Sequence, residues 1–153
     1  MSAQSERYQA GAAKFEEVYP RKASEDPAEF ERMAMENLFS EYWSREGLST
    51  RDRRLLILGI VAAQGNDAIL KLQFSAGIAK GDLNESDLTE IPIFVSQYAG
   101  FPLSVVANTA AQKVRKHSQP DGVGEGFTCR SQPPFDGTKV RWQPRLCFVF
   151  FRN

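Results

Sequence analysis

The sequence predicts an all-α fold of about six helices, followed by an irregular C-terminal extension. Two observations support this prediction. Helix-capping residues recur ahead of segments with a three-to-four residue apolar repeat, and glycine and proline crowd the chain only after residue 117. We therefore predict two regions, a helical domain at residues 1–117 and a loop-rich tail at residues 118–153. A chain of 153 residues is long enough to bury one sizeable core.

The first two helices are predicted at residues 6–18 and 26–45. The first packs through Tyr8, Phe15 and Val18. In the second, Asp26 is expected to cap the helix, with proline at the first helical position and a glutamate that completes a capping box. Six apolar residues are expected to form its buried face: Phe30, Met33, Met35, Leu38, Phe39 and Tyr42.

The next two helices have clear start signals. Ser49 or Thr50 begins one of them, and its apolar run at residues 55–63 predicts a central, buried helix. Asn66 and Asp67 cap the following helix, which is expected to last until Lys80 because the glycine after it favours a left-handed helix end.

The last two helices are separated by a compact boundary. Asn84, with Asp87 three residues on, begins one of them, and Pro92 predicts a kink or break within it because proline lacks a backbone donor. The Gly-Phe-Pro sequence at residues 100–102 predicts a helix end followed by a final helix at residues 102–116.

The tail offers no functional motif. Its cysteines, Cys129 and Cys147, are too few for a structural zinc site and too far apart for a CxxC pair, so we interpret both as incidental thiols. The apolar segment at residues 147–151 is strand-like. The glycines at residues 122–126 lack the lysine of a phosphate-binding loop and predict a flexible linker.

The charge balance excludes several partners. Basic and acidic residues both number 19, so nothing in the net charge favours nucleic acid or an anionic membrane surface. No apolar run approaches the ~20 residues that a transmembrane helix needs. The polar N-terminus lacks the apolar core of a secretory signal, and we therefore expect a cytoplasmic protein.

Four segments carry a resemblance to a known family. They are LFSEYWSREGL (residues 38–48), TRDRRLLILGIVAAQG (50–65), LQFSAGIAKGDL (72–83) and YAGFP (98–102). In order and spacing they resemble the carboxymuconolactone decarboxylase family of the alkylhydroperoxidase D-like superfamily. The resemblance implies a helical bundle that assembles as a homo-oligomer, a trimer or a hexamer.

The residues at the matching positions argue against the chemistry of the peroxidase branch. That branch uses a glutamate, two cysteines as CxxC and a histidine, and the matching positions here are Arg54, Asn66, Ile69 and Gln73. Arginine accepts no proton, isoleucine resolves no disulfide, and glutamine does not titrate near neutral pH. Thiol peroxidase activity at this site is therefore not expected.

The decarboxylase branch fits better, because the resemblance implies chemistry without a cofactor or metal on an anionic lactone from aromatic-compound degradation. Loss of carbon dioxide leaves an enolate-like anion that a cation stabilises and an acid protonates. Arg51, Arg53 and Arg54 are the candidate cations. In this hypothesis Arg54 binds a carboxylate and Gln73, at the usual position of a histidine, orients a carbonyl. The remaining roles are assigned to Glu41 or a water molecule for the proton, to Arg51 for substrate binding, and to Trp43 for excluding solvent.

Structural explanations compete with each of these roles. Gln73 also fits a buried amide bonded to a neighbouring helix, the arginines fit a solvated first turn or an ion pair with Glu41, and Trp43 fits the core. The lone histidine, His117, is expected to bind carbonyls at a helix end rather than to catalyse. The alternative function is a catalytically lapsed helical oligomer that serves as a small-ligand-binding or structural protein.

Overall fold

The computed structural model describes residues 5–118, and every regular element within this range is helical. The elements are α1 (Glu6–Val18), α2 (Glu29–Met33) continued by a π-helical segment (Ala34–Tyr42), α3 (Thr50–Ala63), α4 (Asp67–Lys80), α5 (Asp87–Ala99) and α6 (Phe101–Ser118). The prediction of an all-α fold with six α-helices is confirmed. Apart from the last residue of α6, the predicted tail at residues 118–153, with Cys129, Cys147 and the glycine-rich linker, lies outside the described residues, so the division into two regions stays a prediction.

Two apolar clusters form the core of the described chain. The larger contains side chains of the four helices α3, α4, α5 and α6, and Leu58, Phe74 and Leu88 in it are fully buried. The smaller joins α1 to the π-helical segment through Tyr8, Val18 and other buried side chains, and α4 contributes Ala76 to it. Because α3 and α4 touch both clusters, side chains between these two helices lie where the two halves of the core meet.

Several predicted helix ends are confirmed. Ser49 and Asp52 form a reciprocal capping box at the start of α3, and the Asn66 side chain accepts the amide of Ile69 at the start of α4. Gly81 ends α4 in the left-handed conformation with a φ of 77°, in which a residue with a side chain would be strained. At the far end of α6, His117 Nδ1 lies 2.7 Å from the Lys113 carbonyl oxygen, as expected for a histidine that binds a helix end.

The helix predicted at residues 26–45 differs from the prediction in two ways. Ala28 occupies the N-cap position and no side chain caps the helix, so Asp26 does not cap it. From Ala34 the chain winds as a π-helix, in which the Trp43 amide bonds the Leu38 carbonyl five residues back at 2.9 Å.

The apolar face predicted for this helix was wrong in part. Met35, Phe39 and Trp43 enter the core, whereas four of the six predicted members lie exposed: Phe30, Met33, Leu38 and Tyr42. Leu38 and Tyr42 belong to the π-helical segment, whose period differs from that of an α-helix. Phe30 and Met33 belong to α2, before that segment begins, so the π winding does not account for their exposure.

Two expectations for the later helices were wrong in part. Pro92 lies inside α5, which continues without a break from Asp87 to Ala99, so of the expected kink or break only the kink stays a prediction. The Pro92 carbonyl oxygen accepts the Ser104 hydroxyl at 2.7 Å, which ties α5 to α6 at this turn. Helix α3 is buried on one side only, since Leu56 and Ile60 are more than half exposed. No helix in residues 5–118 is long and apolar enough to cross a membrane.

Candidate functional site

Arg54 lies at the centre of a buried polar network between the two core clusters. The Ser49 cap starts α3 so that Arg54 falls in its second turn, facing inward, with no solvent exposure. Its Nε donates to Asp82 Oδ2 at 2.9 Å, and its Nη2 donates to the Val18 carbonyl oxygen at 2.8 Å. The same Nη2 lies 2.8 Å from Asp82 Oδ2, so this carboxylate balances the guanidinium charge. A buried arginine needs such partners, because an unpaired buried charge is costly.

Gln73 extends the network from α4. Arg54 Nη1 donates to Gln73 Oε1 at 3.0 Å, and Gln73 Nε2 donates to the Tyr19 hydroxyl oxygen at 2.7 Å. The amide orientation is fixed by chemistry, because arginine offers only donors and the glutamine oxygen must face it. Gln73 is 3% exposed, which agrees with the expectation of a buried amide bonded to a neighbouring helix.

This polar network consists of Tyr19, Arg54, Gln73 and Asp82, together with the Val18 carbonyl. It joins the end of α1 to α3, to α4 and to the connection after α4. Among the described residues, no buried side-chain nitrogen or oxygen lacks a hydrogen-bond partner. Gly77 packs closely beside the network, since a Cβ there would lie 2.8 Å from Arg54 Cδ. The network therefore holds its side chains in one arrangement.

Arg51 takes a different position, one turn before Arg54. Its Nη1 and Nη2 bond the two carboxylate oxygens of Asp87 at 2.8 and 2.9 Å, and Nη1 also donates to the Asp82 carbonyl oxygen at 2.6 Å. The hydrogen bonds from Arg51 hold the pKa of Asp87 below its ordinary value, and the same bonds raise the pKa of Arg51.

An open groove of about 740 Å³ runs beside this ion pair, between α3 and α5. Its walls are mainly aliphatic, with Phe94 on one side, and three carboxylates lie along it: Asp52, Asp87 and Glu90. Arg51 lines the groove, whereas Arg54, Gln73, Glu41 and Trp43 do not. Since Asp87 already engages Arg51, the groove presents more negative than positive charge.

The remaining predicted site residues lie apart from the polar network. Glu41 accepts a hydrogen bond from Arg7 Nη2 at 2.7 Å on the solvent-exposed side of the π-helical segment. The ion pair with Glu41, one of the two structural alternatives for the arginines of α3, is therefore not formed. Trp43 is buried and stacks on Phe39, with ring centroids 6.2 Å apart. Arg53 donates to the carbonyl oxygens of Arg45 and Leu48.

Sequence reasoning missed two members of the polar network, Tyr19 and Asp82. Tyr19 follows the end of α1 and lies 54 residues from Gln73 along the chain, so no local spacing connects the two residues. Asp82 follows Gly81 in the matched segment LQFSAGIAKGDL, and its position after a left-handed glycine was the available signal.

Comparison with known proteins gives the family. The sequence profile of the carboxymuconolactone decarboxylase family matches residues 28–113, which is more than half of the chain. The chain belongs to the carboxymuconolactone decarboxylase family. The matched range runs from the N-cap of α2 into α6 and includes Arg54, Gln73 and Asp82. Tyr19 and the rest of α1 lie before it.

One curated relative in this family has a named activity. Over 88 residues, or 58% of this chain, the sequence is 30% identical to the 4-carboxymuconolactone decarboxylase of Acinetobacter baylyi. The chain spans 65% of that relative's length. The carboxymuconolactone decarboxylase relationship expected from the sequence is thus confirmed for the family.

Proposed function

We propose that this protein decarboxylates, without a cofactor, a small carboxylated lactone or a related intermediate of aromatic-compound degradation. One observation carries the proposal. The family positions expected to act on the substrate hold a cation and an amide, Arg54 and Gln73, and these two side chains are joined at 3.0 Å inside the buried polar network. The named activity of the Acinetobacter baylyi relative supports the same class of reaction.

Decarboxylation requires fixed hydrogen-bond donors and a site without water, and the polar network supplies both. Departure of carbon dioxide leaves negative charge on an enolate-like oxygen, which fixed donors stabilise best in a site without water. Gln73 supplies a carboxamide whose orientation is set by Arg54, and the ion pair of Arg54 and Asp82 supplies fixed N–H donors and a dipole that solvent screens little. In this proposal Gln73 orients the substrate carbonyl, as expected from the sequence.

The role of Arg54 in the proposal follows from its burial. Its guanidinium already donates to Asp82, Gln73 and the Val18 carbonyl oxygen, so a direct bond to a substrate carboxylate would displace one of them. We therefore assign Arg54 to charge stabilisation and to fixing Gln73. Arg51, which lines the groove, remains the proposed group for initial substrate binding, and a substrate carboxylate would displace that of Asp87 from its guanidinium. Trp43 remains proposed as a solvent barrier through its place in the core.

The proposal includes a homo-oligomer, a trimer or a hexamer, in the cytoplasm. Large apolar side chains stay exposed along neighbouring helices of the single chain: Leu56 and Ile60 on α3, Ile93, Phe94 and Tyr98 on α5, and Phe101 and Val105 on α6. Contiguous apolar surface of this kind favours association. No partner other than the substrate and further copies of the chain is proposed.

The test is the loss of ultraviolet absorbance of 4-carboxymuconolactone on incubation with the purified full-length protein. Turnover that is lost in Gln73→Ala and Arg54→Lys, and retained in Lys71→Ala, is the expected result. Lys71 lies on the same helix as Gln73 but pairs with Asp67 at the surface, so it controls for a general effect on α4. Folded protein that leaves the lactone and related carboxylated lactones untouched would overturn the proposal.

A further inference from the structure

We propose that Tyr19 is the proton donor of this reaction and takes the place of the histidine that the site lacks. The inference rests on the proposed function, because it concerns the protonation step of that decarboxylation. Gln73 has no titratable proton, and Glu41 is engaged by Arg7 at the surface. Among the side chains joined in the polar network, Tyr19 alone carries a hydroxyl group.

The hydrogen-bond geometry leaves the Tyr19 proton available. Because Gln73 Oε1 accepts from Arg54, Gln73 must present its NH₂ group to Tyr19, and the hydroxyl oxygen must accept. The hydroxyl hydrogen of Tyr19 then points away from Gln73. Within residues 5–118, the structure records no acceptor for it. The hydrogen bonds from Arg54 through Gln73 thus end at the Tyr19 hydroxyl, whose oxygen accepts from Gln73 and whose hydrogen remains available to a substrate.

The phenol ring is held firmly in this position. Its centroid lies 5.2 Å from that of Phe15 and 6.0 Å from that of Phe39, and Arg54 Cζ lies 5.7 Å from it over the ring face. Tyr19 is 8% exposed. A proton donor must be positioned before the reaction begins, and packing on three sides meets that requirement.

The hydroxyl of Tyr19 and the amide of Gln73 meet at 2.7 Å, so a substrate that reaches this edge of the polar network contacts both groups. Tyr19 is 8% exposed and Gln73 is 3% exposed. The proposal therefore requires neighbouring side chains to move aside when the substrate enters.

The proposed step balances in atoms and electrons. The bond between the substrate carbon and its carboxylate breaks, carbon dioxide leaves, and the electron pair of that bond enters the enolate system. The carbanionic carbon of the enolate then takes the proton from Tyr19 Oη, which leaves a phenolate. Water returns a proton to the phenolate, and the hydroxide formed is taken up by carbon dioxide as bicarbonate. No oxidant or reductant is needed.

The test compares Tyr19→Phe with Tyr8→Phe in the full-length protein. Phenylalanine keeps the ring of Tyr19 and removes only the hydroxyl. Tyr8 is a matched control, since it is also buried on α1 and its hydroxyl donates to the Ser24 carbonyl oxygen at 2.7 Å, outside the polar network. We expect kcat on 4-carboxymuconolactone to fall by roughly 100-fold or more in Tyr19→Phe, the usual contribution of a positioned acid. We expect KM to change less than kcat, and Tyr8→Phe to keep its activity.

The outcomes separate this inference from the proposed function. A wild-type protein without turnover overturns both. An active wild type whose Tyr19→Phe variant keeps most of its kcat overturns only the role of Tyr19. To exclude a purely structural effect, 3-fluorotyrosine is placed at position 19, where it keeps the ring and the hydroxyl but makes the phenol a stronger acid. The alkaline limb of the pH profile of kcat is expected to move to lower pH. A limb that stays in place contradicts proton donation by Tyr19.

Discussion

Arg54 and Gln73 are partners across two helices: Nη1 on α3 donates to Oε1 on α4 over 3.0 Å, with both side chains buried. The two side chains suit each other, because arginine offers only donors and the glutamine oxygen is a neutral acceptor. Asp82 balances the guanidinium charge at 2.8 Å. Each donor and acceptor that Arg54 and Gln73 direct at each other is therefore matched inside the core.

The first prediction is that Arg54→Ala destabilises the fold strongly. The change leaves Asp82 without its counter-ion and removes donors from Gln73 and the Val18 carbonyl. Breaking a buried pair in this way costs about 3–5 kcal/mol. Thermal and urea unfolding measure the loss. Arg53→Ala, one residue away, removes only solvent-exposed hydrogen bonds to the Arg45 and Leu48 carbonyl oxygens and is expected to cost about 1 kcal/mol. Equal losses in the two variants would contradict the structural role of Arg54.

The fold could be predicted from the sequence where local signals were decisive. The start of α3 at Ser49 and the left-handed Gly81 each depend on residues a few positions apart, and both are present. The capping box predicted at Asp26 does not form, since Ala28 is the N-cap. The π-helical winding at Ala34–Tyr42 could not be predicted, because its apolar residues also suit the α-helical period.

The site could be predicted only in part, because some of its contacts join residues that lie far apart in the sequence. Arg54 and Gln73 stand out because the family pattern marks their positions. Tyr19 meets Gln73 only because α1 packs against the π-helical segment. The spacing of residues in the sequence does not predict this tertiary contact. The separation of Arg51 from Arg54 also depends on tertiary partners: Asp87 engages the first residue and Asp82 the second.

A second prediction concerns the close contact between α1 and the π-helical segment. Gly11 is buried there, and a Cβ at this position would fall on the carbonyl oxygen of Met35, a backbone atom that cannot turn aside. Gly11→Ala is expected to cost about 2 kcal/mol or more through overpacking. Gly59→Ala is the control, because its Cβ would meet nothing within 4 Å. That change is expected to stabilise α3 by up to about 1 kcal/mol in thermal unfolding. If both variants gained stability, the packing at Gly11 would be looser than described.

A third prediction concerns pH. The hydrogen bonds from Arg51 lower the pKa of Asp87 in the folded protein, so the folded state binds fewer protons than the unfolded state in this range. The stabilisation is therefore present above the unfolded value of about 3.9 and is lost as the pH falls through the lower, folded pKa. Asp87→Asn is expected to cost about 1 kcal/mol at pH 7, since Arg51 is partly solvent-exposed and screened.

The difference between wild type and Asp87→Asn is expected to shrink as the pH drops below about 4. Urea unfolding across this range measures it. Glu46→Gln, at an exposed carboxyl, provides the control and is expected to follow the wild type at each pH. A stability difference for Asp87→Asn that is constant with pH would show that the ion pair is not its source.

A fourth prediction tests association. Phe94 is 66% exposed and lies against Tyr98, with ring centroids 5.1 Å apart, on the apolar surface of α5. If copies of the chain meet through this surface, Phe94→Glu buries a charge without a partner and is expected to give monomers. Light scattering after size-exclusion chromatography gives the mass. Lys22→Glu, at an exposed position outside this surface, is expected to leave the oligomer intact. A Phe94→Glu protein with the wild-type mass would place the interface elsewhere.

The fifth prediction is a gain of activity in Gln73→His. Histidine can accept from Arg54 Nη1 through one ring nitrogen and present the other towards Tyr19, so the polar network can persist. It adds a titrating imidazole at the position where the family resemblance expects one, and burial beside the Arg54 guanidinium is expected to lower its pKa below the ordinary histidine value. We expect kcat for decarboxylation of 4-carboxymuconolactone to rise by roughly 10-fold or more, within the range of general acid catalysis.

Gln73→Asn keeps the amide and adds no titrating group, and it is expected to give no such gain. A new limb on the acidic side of neutral pH in the profile of Gln73→His, absent from the wild type, identifies histidine as the new acid. An unchanged kcat would mean that the reacting carbon does not lie beside residue 73.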